Sequence, residues 1–463
     1  MKTNRHNSMT DSIRQTEQIA ADIQAALETG RAQEAADAFT KLYPADQAEV
    51  FNALRDAQQD ALLELLDIPS TADLFDELED DEALEAAEGL STERLADILD
   101  EMDPDEAADL LGDLPPRVAR EALAQMEDPE DVLPLLEYPD ETAGGRATTA
   151  YIAMRRHTTA EQAIQFLRDV APENDVPYYL FVVDRNKQLI GVVGLRELVI
   201  ASPDTTMEAI MDPDVISIPA DADQEEAARV MQRYDLSALP VVDADKRLIG
   251  VITHDDILDV IEDEATEDIY RISQVSDADL DPDSDIRQQL RGRLPWLLFS
   301  SIASLFAAWV ISNFGDLIAQ VALLAFFQSV VAGLGGNSAG QSVAMVVRAL
   351  ALDKIDRRQA WKILLRQAMV GLLQGVMLGA IVGMGIGLWQ QNPYLGLVIS
   401  LSLMLNMLIG GIVGTLVPMI LHALGKDPAL ASSVLVTAAT DSLGFLIYLS
   451  LASAFLPLIQ QYL

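Results

Sequence analysis

The chain contains no cysteine, which removes disulfides and thiolate metal sites from consideration. Its four histidines, His6, His157, His254 and His422, are scattered. They form no His-Glu-x-x-His pair, which leaves no intramembrane metalloprotease. The segment Gly335-Gly-Asn-Ser-Ala-Gly340-Gln341-Ser342 has the spacing of a phosphate-binding loop, but Gln341 stands where the lysine must be. An ATP-driven pump therefore lacks its apparatus. The run Asp277–Asp285 resembles a calcium loop, yet Pro282 replaces the turn glycine and Gln288 the closing glutamate, so it reads as a charged linker. The first thirty residues are polar and hold no apolar core for a signal peptide.

Basic residues are also scarce, 31 Lys and Arg against 73 Asp and Glu. All but five of the acids precede Arg293, which gives residues 1–292 a net charge of about −45. Such a surface repels nucleic acid and attracts cations. Beyond Arg293 come five hydrophobic spans near 294–314, 317–347, 363–389, 394–423 and 429–459, long enough to cross a bilayer. With the acidic part in the cytoplasm, the second connection faces inward and carries Arg348, Lys354, Arg357, Arg358, Lys362 and Arg366. The outward connection Gln390-Gln-Asn-Pro393 and the C-terminus Gln460-Gln-Tyr-Leu463 have no basic residue, as the positive-inside rule requires. The spans exceed the roughly 20 residues needed, and their Gly and Pro content predicts interruption rather than tilt alone.

Asp441 is the only acid inside these runs. An Asp at the bilayer centre costs about 3 kcal/mol to insert, so it faces a partner or a wet path. The bland alternative is a hydrogen bond to Thr437 or Thr440 one turn away. In the second span, Gly336 and Asn337 are expected to break the helix and turn carbonyls toward a hydrated ion. Close helix packing is the competing explanation for that glycine cluster.

Two soluble blocks precede the spans. Residues 15–135 read as short amphipathic helices, with Pro44, Pro104 and Pro116 at helix starts and apolar residues at helical spacing after each. They predict a superhelix of stacked pairs with carboxylate faces. From 136 to 270 the period changes. Tyr178–Asp184 followed by Leu189–Val193, and Leu239–Asp243 followed by Leu248–Ile252, are β-rich pairs about sixty residues apart, preceded by helices at 160–170 and 224–234. This duplicated order resembles a tandem pair of CBS domains. That resemblance implies nucleotide binding, possible ATP included, through a Gly-x-x-Thr-x-x-Asp ending, present as Gly250-Val-Ile-Thr253-His-Asp-Asp256. Arg196 and Tyr179 are further candidate contacts. The first copy departs, with Gly194 and Glu197 at those places, which implies one site at most.

The combination is specific. An acidic helical N-domain (15–135) after a disordered tail (1–14), a CBS pair (136–270), a connecting helix and linker (271–293) and a five-helix membrane domain (294–463) follow in order. With Gly335-Gly-Asn337-Ser-Ala-Gly340-Gln341 in the second span, and Asp427-Pro-Ala429 leading to Thr440-Asp441 in the last, the chain resembles the MgtE family of magnesium channels. The fold expected is a multidomain membrane protein: α-helical superhelix, α+β CBS pair and all-α transmembrane bundle. The resemblance implies no enzyme activity. It implies a homodimer in the bacterial inner membrane, N-terminus cytoplasmic and C-terminus outside, that imports Mg2+ along a twofold axis and closes when cytosolic Mg2+ is high.

Asp441, Asn337, Gly336, Thr440 and Thr437 would then border the ion path. Regulatory Mg2+ would bind among Asp256, Asp259, Glu264, Glu267 and Asp268, with Asp223, Glu225, Asp105, Glu106 and Asp109 on facing elements. A proton- or sodium-coupled transporter using Asp441 as a relay is the alternative.

Overall fold

The computed structural model describes residues 18–170, 179–276, 280, 282, 284, 286–351, 355, 357–429 and 432–462. The tail at 1–14, Tyr178, Lys354 and most of the Asp277–Asp285 linker lie outside them. Two compact units divide the chain, Met1–Ile261 and Glu262–Leu463, and the contacts within each define it.

The first unit opens with a ladder of short helices: α1 (18–28), α2 (Ala32–Phe39), α3 (Pro44–Asn52), α4 (Asp56–Leu63), α5 (Ile68–Phe75), α6 (Asp80–Glu88), α7 (Thr92–Leu99), α8 (Pro104–Asp113) and α9 (Pro116–Leu123). Pro44, Pro104 and Pro116 stand in the first helical turn, where the missing N–H costs nothing. Helices pack on the one two places along, α3 on α5, α5 on α7 and α7 on α9, which is the expected superhelix. Phe39, Phe51, Leu74, Phe75, Leu95 and Leu99 fill the spine. Acidic side chains tie successive turns together. Asp76 accepts the Asp103 N–H at 3.3 Å, and Asp100 accepts those of Glu127 and Asp128 at 2.8 and 3.2 Å.

The CBS region repeats one unit twice. It comprises β1 (Ala153–Arg155), α10 (Ala160–Val170), β2 (Tyr179–Val183), β3 (Leu189–Gly194), α11 (Leu195–Ile200) and α12 (Met207–Ile210). The second copy is β4 (Ile218–Pro219), α13 (Gln224–Tyr234), β5 (Ala238–Val242), β6 (Leu248–Thr253) and α14 (His254–Ile272). Each three-stranded sheet has one parallel and one antiparallel pair, with a register shift at Val182/Val183 in one and at Val241/Val242 in the other. The hairpin turns match as well. Lys187 and Lys246 have φ of 64° and 61°, and the preceding Asp184 and Asp243 each accept two backbone N–H groups of their own turn. Phe181, Val183, Ala238, Leu248 and Val251 form a core shared by the two copies.

Among the described residues of the second unit, five helices are long and apolar enough to cross a membrane. They are α15 (Ile286–Ser312), α17 (Leu323–Ala351), α18 (Arg357–Trp389), α19 (Pro393–Ala423) and α20 (Ser432–Ala454), with the short α16 (Gly315–Gln320) and α21 (Leu456–Gln460) between and after them. Two expectations are corrected here. The chain is continuous helix through Gly335-Gly336-Asn337, so no broken backbone offers carbonyls there. The interruptions fall instead near span ends, at Val321 before α17 and at Phe455 before α21, where Pro457 follows. Likewise Ile286–Arg293 forms the first turns of α15 rather than a separate connecting helix.

The tightest packing joins α18 to α19. Gly371, Gly375, Gly379 and Gly383 recur every fourth residue, which puts them on one face of α18 against the backbone of Met407, Met404, Ser400 and Gly396. Ser400 Oγ donates to Gly379 O at 2.7 Å across this seam. A Cβ at Gly375 would lie 2.6 Å from Met404 Cα, whereas one at Gly385 meets nothing within 4 Å. Gly375→Leu should therefore destabilise the membrane unit by about 2 kcal/mol or more, and Gly385→Leu by far less. Melting temperatures of the two variants in detergent measure the difference.

Candidate ion path and acidic sensing surfaces

Asp441 lies in the first half of α20, half-buried. Among the described residues its carboxylate has no hydrogen-bond or ion-pair partner. The bland alternative fails on geometry: Thr440 Oγ1 donates to Val436 O and Thr437 O of its own helix, and Thr440 is fully buried. Thr437 is exposed on the same helix. On α17, Asn337 is exposed and Gly336 half-buried. The glycine cluster divides between two roles. Gly335 is packed against the Asn406 amide of α19, while Gly333, Gly336 and Gly340 would meet nothing within 4 Å with a Cβ added. The face bearing Asn337 is thus smooth and uncovered, and the face bearing Gly335 is the seam with α19.

The second concentration of acid lies within the first unit. Asp105, in the first turn of α8, is buried, and among the described residues its Oδ1 has no hydrogen-bond partner. Asp256, in the first turn of α14, accepts the Thr253 N–H at 3.1 Å and its Oγ1 at 2.5 Å, which caps the helix. Burial and the facing Asp256 push the Asp105 carboxyl up to about 8, and burial also raises Asp256. Around them burial, followed by neighbouring carboxylates, lifts Glu106 to about 9 and Asp76 to about 8. Asp109 rises to about 7 through burial, opposed by Arg146, whose Nη1 stands 3.6 Å from Asp109 Oδ2. Asp223 is elsewhere engaged as the N-cap of α13, accepting the Glu225 N–H at 2.9 Å, and Glu225 pairs with Arg229 at 3.1 Å.

The remaining sensing candidates share α14 with Asp256. Asp259 is exposed, while Glu264, Glu267 and Asp268 are half-buried. Glu264, Glu267, Asp268 and Arg271 follow at spacings that line one face. Arg271 contacts Glu267 and, through Nη1, Asp427 Oδ2. Asp427 Oδ1 accepts the Ala429 N–H at 2.7 Å just ahead of α20. Burial, then Asp427 and Glu264, raise Asp268 to about 6, with Arg348 opposing.

At the nucleotide candidate, Thr253 Oγ1 is already held by Asp255 and Asp256. Tyr179 starts β2 opposite Gly194, and Arg196 is exposed on α11. In that first copy the Glu197 carboxylate folds over Gly194, where a hydroxyl-bearing residue would be needed.

Asp76, Arg146 and Arg271 are not among the candidate residues read from sequence, and Asp427 enters there only through the motif leading to Asp441. Asp76 joins the cluster only because the ladder brings α8 back over the end of α5. Arg271 and Asp427 are far apart in the chain, and only the length of α14 unites them.

In the cation-free protein these raised carboxyls bind protons more tightly folded than unfolded. Their contribution to the packed N-domain–CBS face is present below pH 4 and is lost as pH rises toward 9. Limited proteolysis without divalent cations should therefore cut residues 100–150 faster at pH 9 than at pH 6, and equal rates would contradict the crowding of this face.

The chain matches three family descriptions: a divalent cation transporter domain of the MgtE type over residues 328–451, an MgtE intracellular N domain over 42–141, and CBS domains over 147–204 and 207–263. It is 38% identical over 337 residues to the magnesium transporter MgtE of Thermus thermophilus, covering 72% of this chain and 74% of that one. The corresponding transporter of Bacillus subtilis is 36% identical over 336 residues, with 72% and 74% covered. Among solved structures, the soluble part of a magnesium transporter is similar at 33% identity and a TM-score of 0.49, over 54% of this chain and 99% of that one. The cytosolic domain of the Mg2+ channel MgtE in complex with ATP is similar at 34% identity and a TM-score of 0.49, over 52% and 99%.

Proposed function

Because the chain belongs to the MgtE family of magnesium transporters, not to a family of enzymes, we propose that it is a Mg2+-selective channel, closed by Mg2+ bound to its acidic soluble domains. It is a multi-pass membrane protein. In the proposed arrangement it sits in a bacterial inner membrane as a homodimer, soluble domains in the cytoplasm and C-terminus outside. The observation that carries the reading is Asp441. It is the one acid within the five spanning helices, and it has no partner among the described residues of its own protomer.

Mg2+ gives up its water reluctantly and is usually held through retained waters by one or two carboxylates. Two copies of Asp441 beside a twofold axis would supply that number, with Asn337 offering an amide to the water shell and Gly336 leaving room for it. Thr440, which donates to carbonyls of its own helix, serves α20 rather than the ion, and the exposed Thr437, one turn before Asp441, would be the threonine to reach it.

Closure would come from the carboxylates of α8 and α14. Asp105 and Asp256 are hard oxygen donors, and the partnerless Asp105 Oδ1 is the kind of group a divalent cation satisfies. Glu106 and Asp109 would extend that site, and Asp259, Glu264, Glu267 and Asp268 would bind further ions along α14. Each ion favours the compact arrangement only by its higher affinity for it. A nucleotide at Thr253 would draw on Asp256 too, so ATP and cation would share a ligand.

Asp441→Asn, which keeps the shape and removes the charge, should lower Mg2+ uptake into reconstituted vesicles by tenfold or more at unchanged melting temperature, since about 1.4 kcal/mol of lost attraction suffices. Wild-type uptake in the folded variant would remove Asp441 from the path. Removing residues 1–135 should preserve permeation and weaken closure at high internal Mg2+. Equal sensitivity in the truncated and full-length proteins would reduce the acidic ladder to a solubilising surface. Single-channel currents in a planar bilayer distinguish a channel from proton- or sodium-coupled exchange.

A further inference from the structure

Asn406 is fully buried in the middle of α19. The fully buried hydroxyl residues of this helix, Ser402 and Thr415, donate to carbonyls of α19 itself. Asn406 reaches across instead, and its Nδ2 donates to Val331 O of α17 at 2.9 Å. Val331 is one turn before Gly335, and the side-chain amide lies over Gly335, where any Cβ would collide with it. On the opposite side it abuts α20, where a Cβ at Gly444 would stand 2.7 Å from Nδ2. One amide is therefore seated between two glycines on two different helices. Gly335 is two residues before Asn337, and Gly444 is three after Asp441.

The seat is polar at a depth where that is costly. Among the described residues, Asn406 Oδ1 has no hydrogen-bond partner, and neither do the buried Gln328 Nε2 on α17 and Ser442 Oγ on α20. An apolar side chain of similar shape would fill the gap between the glycines without an unsatisfied acceptor. Val331 O would lose nothing essential, since it belongs to the hydrogen-bond ladder of α17. Packing stability alone thus does not call for an asparagine here.

We propose that Asn406 is a positioning residue for permeation: it fixes the register of α17 against α20, and so the placement of Asn337 relative to Asp441. This rests on the reading that those two residues border the ion path. The glycines are the complementary half of the device, because each allows its helix to touch the amide directly.

The absence of native cysteine makes a direct test available in the full-length protein. An Asn337→Cys variant, reconstituted in vesicles, is exposed to a membrane-impermeant methanethiosulfonate reagent with and without Mg2+. The measurement is repeated after adding Asn406→Leu, and Mg2+ uptake and melting temperature are recorded for Asn406→Leu alone. The expected result is a melting temperature equal to or above that of the parent, uptake reduced about tenfold, and a changed thiol reactivity that Mg2+ no longer slows. Gly444→Ala, which keeps the asparagine but crowds its seat, should reproduce the loss of uptake.

Unchanged uptake per folded protein and unchanged thiol reactivity in Asn406→Leu would overturn the proposal, whatever the melting temperature does. If Mg2+ fails to protect the Asn337→Cys thiol when Asn406 is intact, the path reading itself fails and the proposal with it.

Discussion

Carboxylates held close together with too little positive charge among them are the constraint on which the soluble architecture depends. Asp76, Asp105, Glu106, Asp109 and Asp256 stand at one face, and Arg146 is the cation that opposes them there, through Asp109. Burial and mutual repulsion both favour the protonated forms, so near neutral pH the face is held at the edge of ionisation. A bound divalent cation reverses both effects by neutralising the charge and replacing lost water. In the proposed mechanism such a surface would convert cation concentration into a preference for the packed arrangement.

The membrane unit rests on the opposite material. Between α18 and α19, four glycines at every fourth position bring backbones into contact and leave no side chain to adjust. The α17, α19 and α20 contact is also glycine-lined, but it is threaded by Asn406 and closed by the fully buried Tyr448, whose hydroxyl donates to Leu324 O at 3.1 Å. The first seam is a rigid strut and the second is keyed. Asp441 and Asn337 sit on the two helices that the key joins. Just before α20, Asp427 is held by Arg271 of α14, so in the proposed mechanism a displacement of α14 would reach the helix that carries Asp441.

Much of this was legible in the chain because the signals were periodic. The third and fourth spans, expected at 363–389 and 394–423, end where α18 and α19 end, since Asn392 caps α19 and Pro393 opens it. The duplicated hairpins were readable from Asp184 and Asp243, each starting an identical turn. The expected break at Gly336-Asn337 was not there, because in an otherwise apolar helix the intrahelical hydrogen bonds outweigh the glycine penalty. Of the real breaks, the one at Val321 carries no strong local signature, whereas Pro457 marks the one at Phe455. Asp76 and Asn406 went unseen for a shared reason: each matters through a neighbour distant in sequence. A lone Asn in the fourth span is the only trace the second leaves.

In the proposed mechanism divalent cations close the protein by binding its acidic soluble surfaces while the path through the membrane stays intact. Open probability of single reconstituted channels, recorded as Mg2+ on the soluble-domain side is raised at constant ionic strength, tests it most directly. A steep fall to closure with unchanged conductance of the remaining openings is expected. An open probability that does not depend on Mg2+ at that side would contradict it.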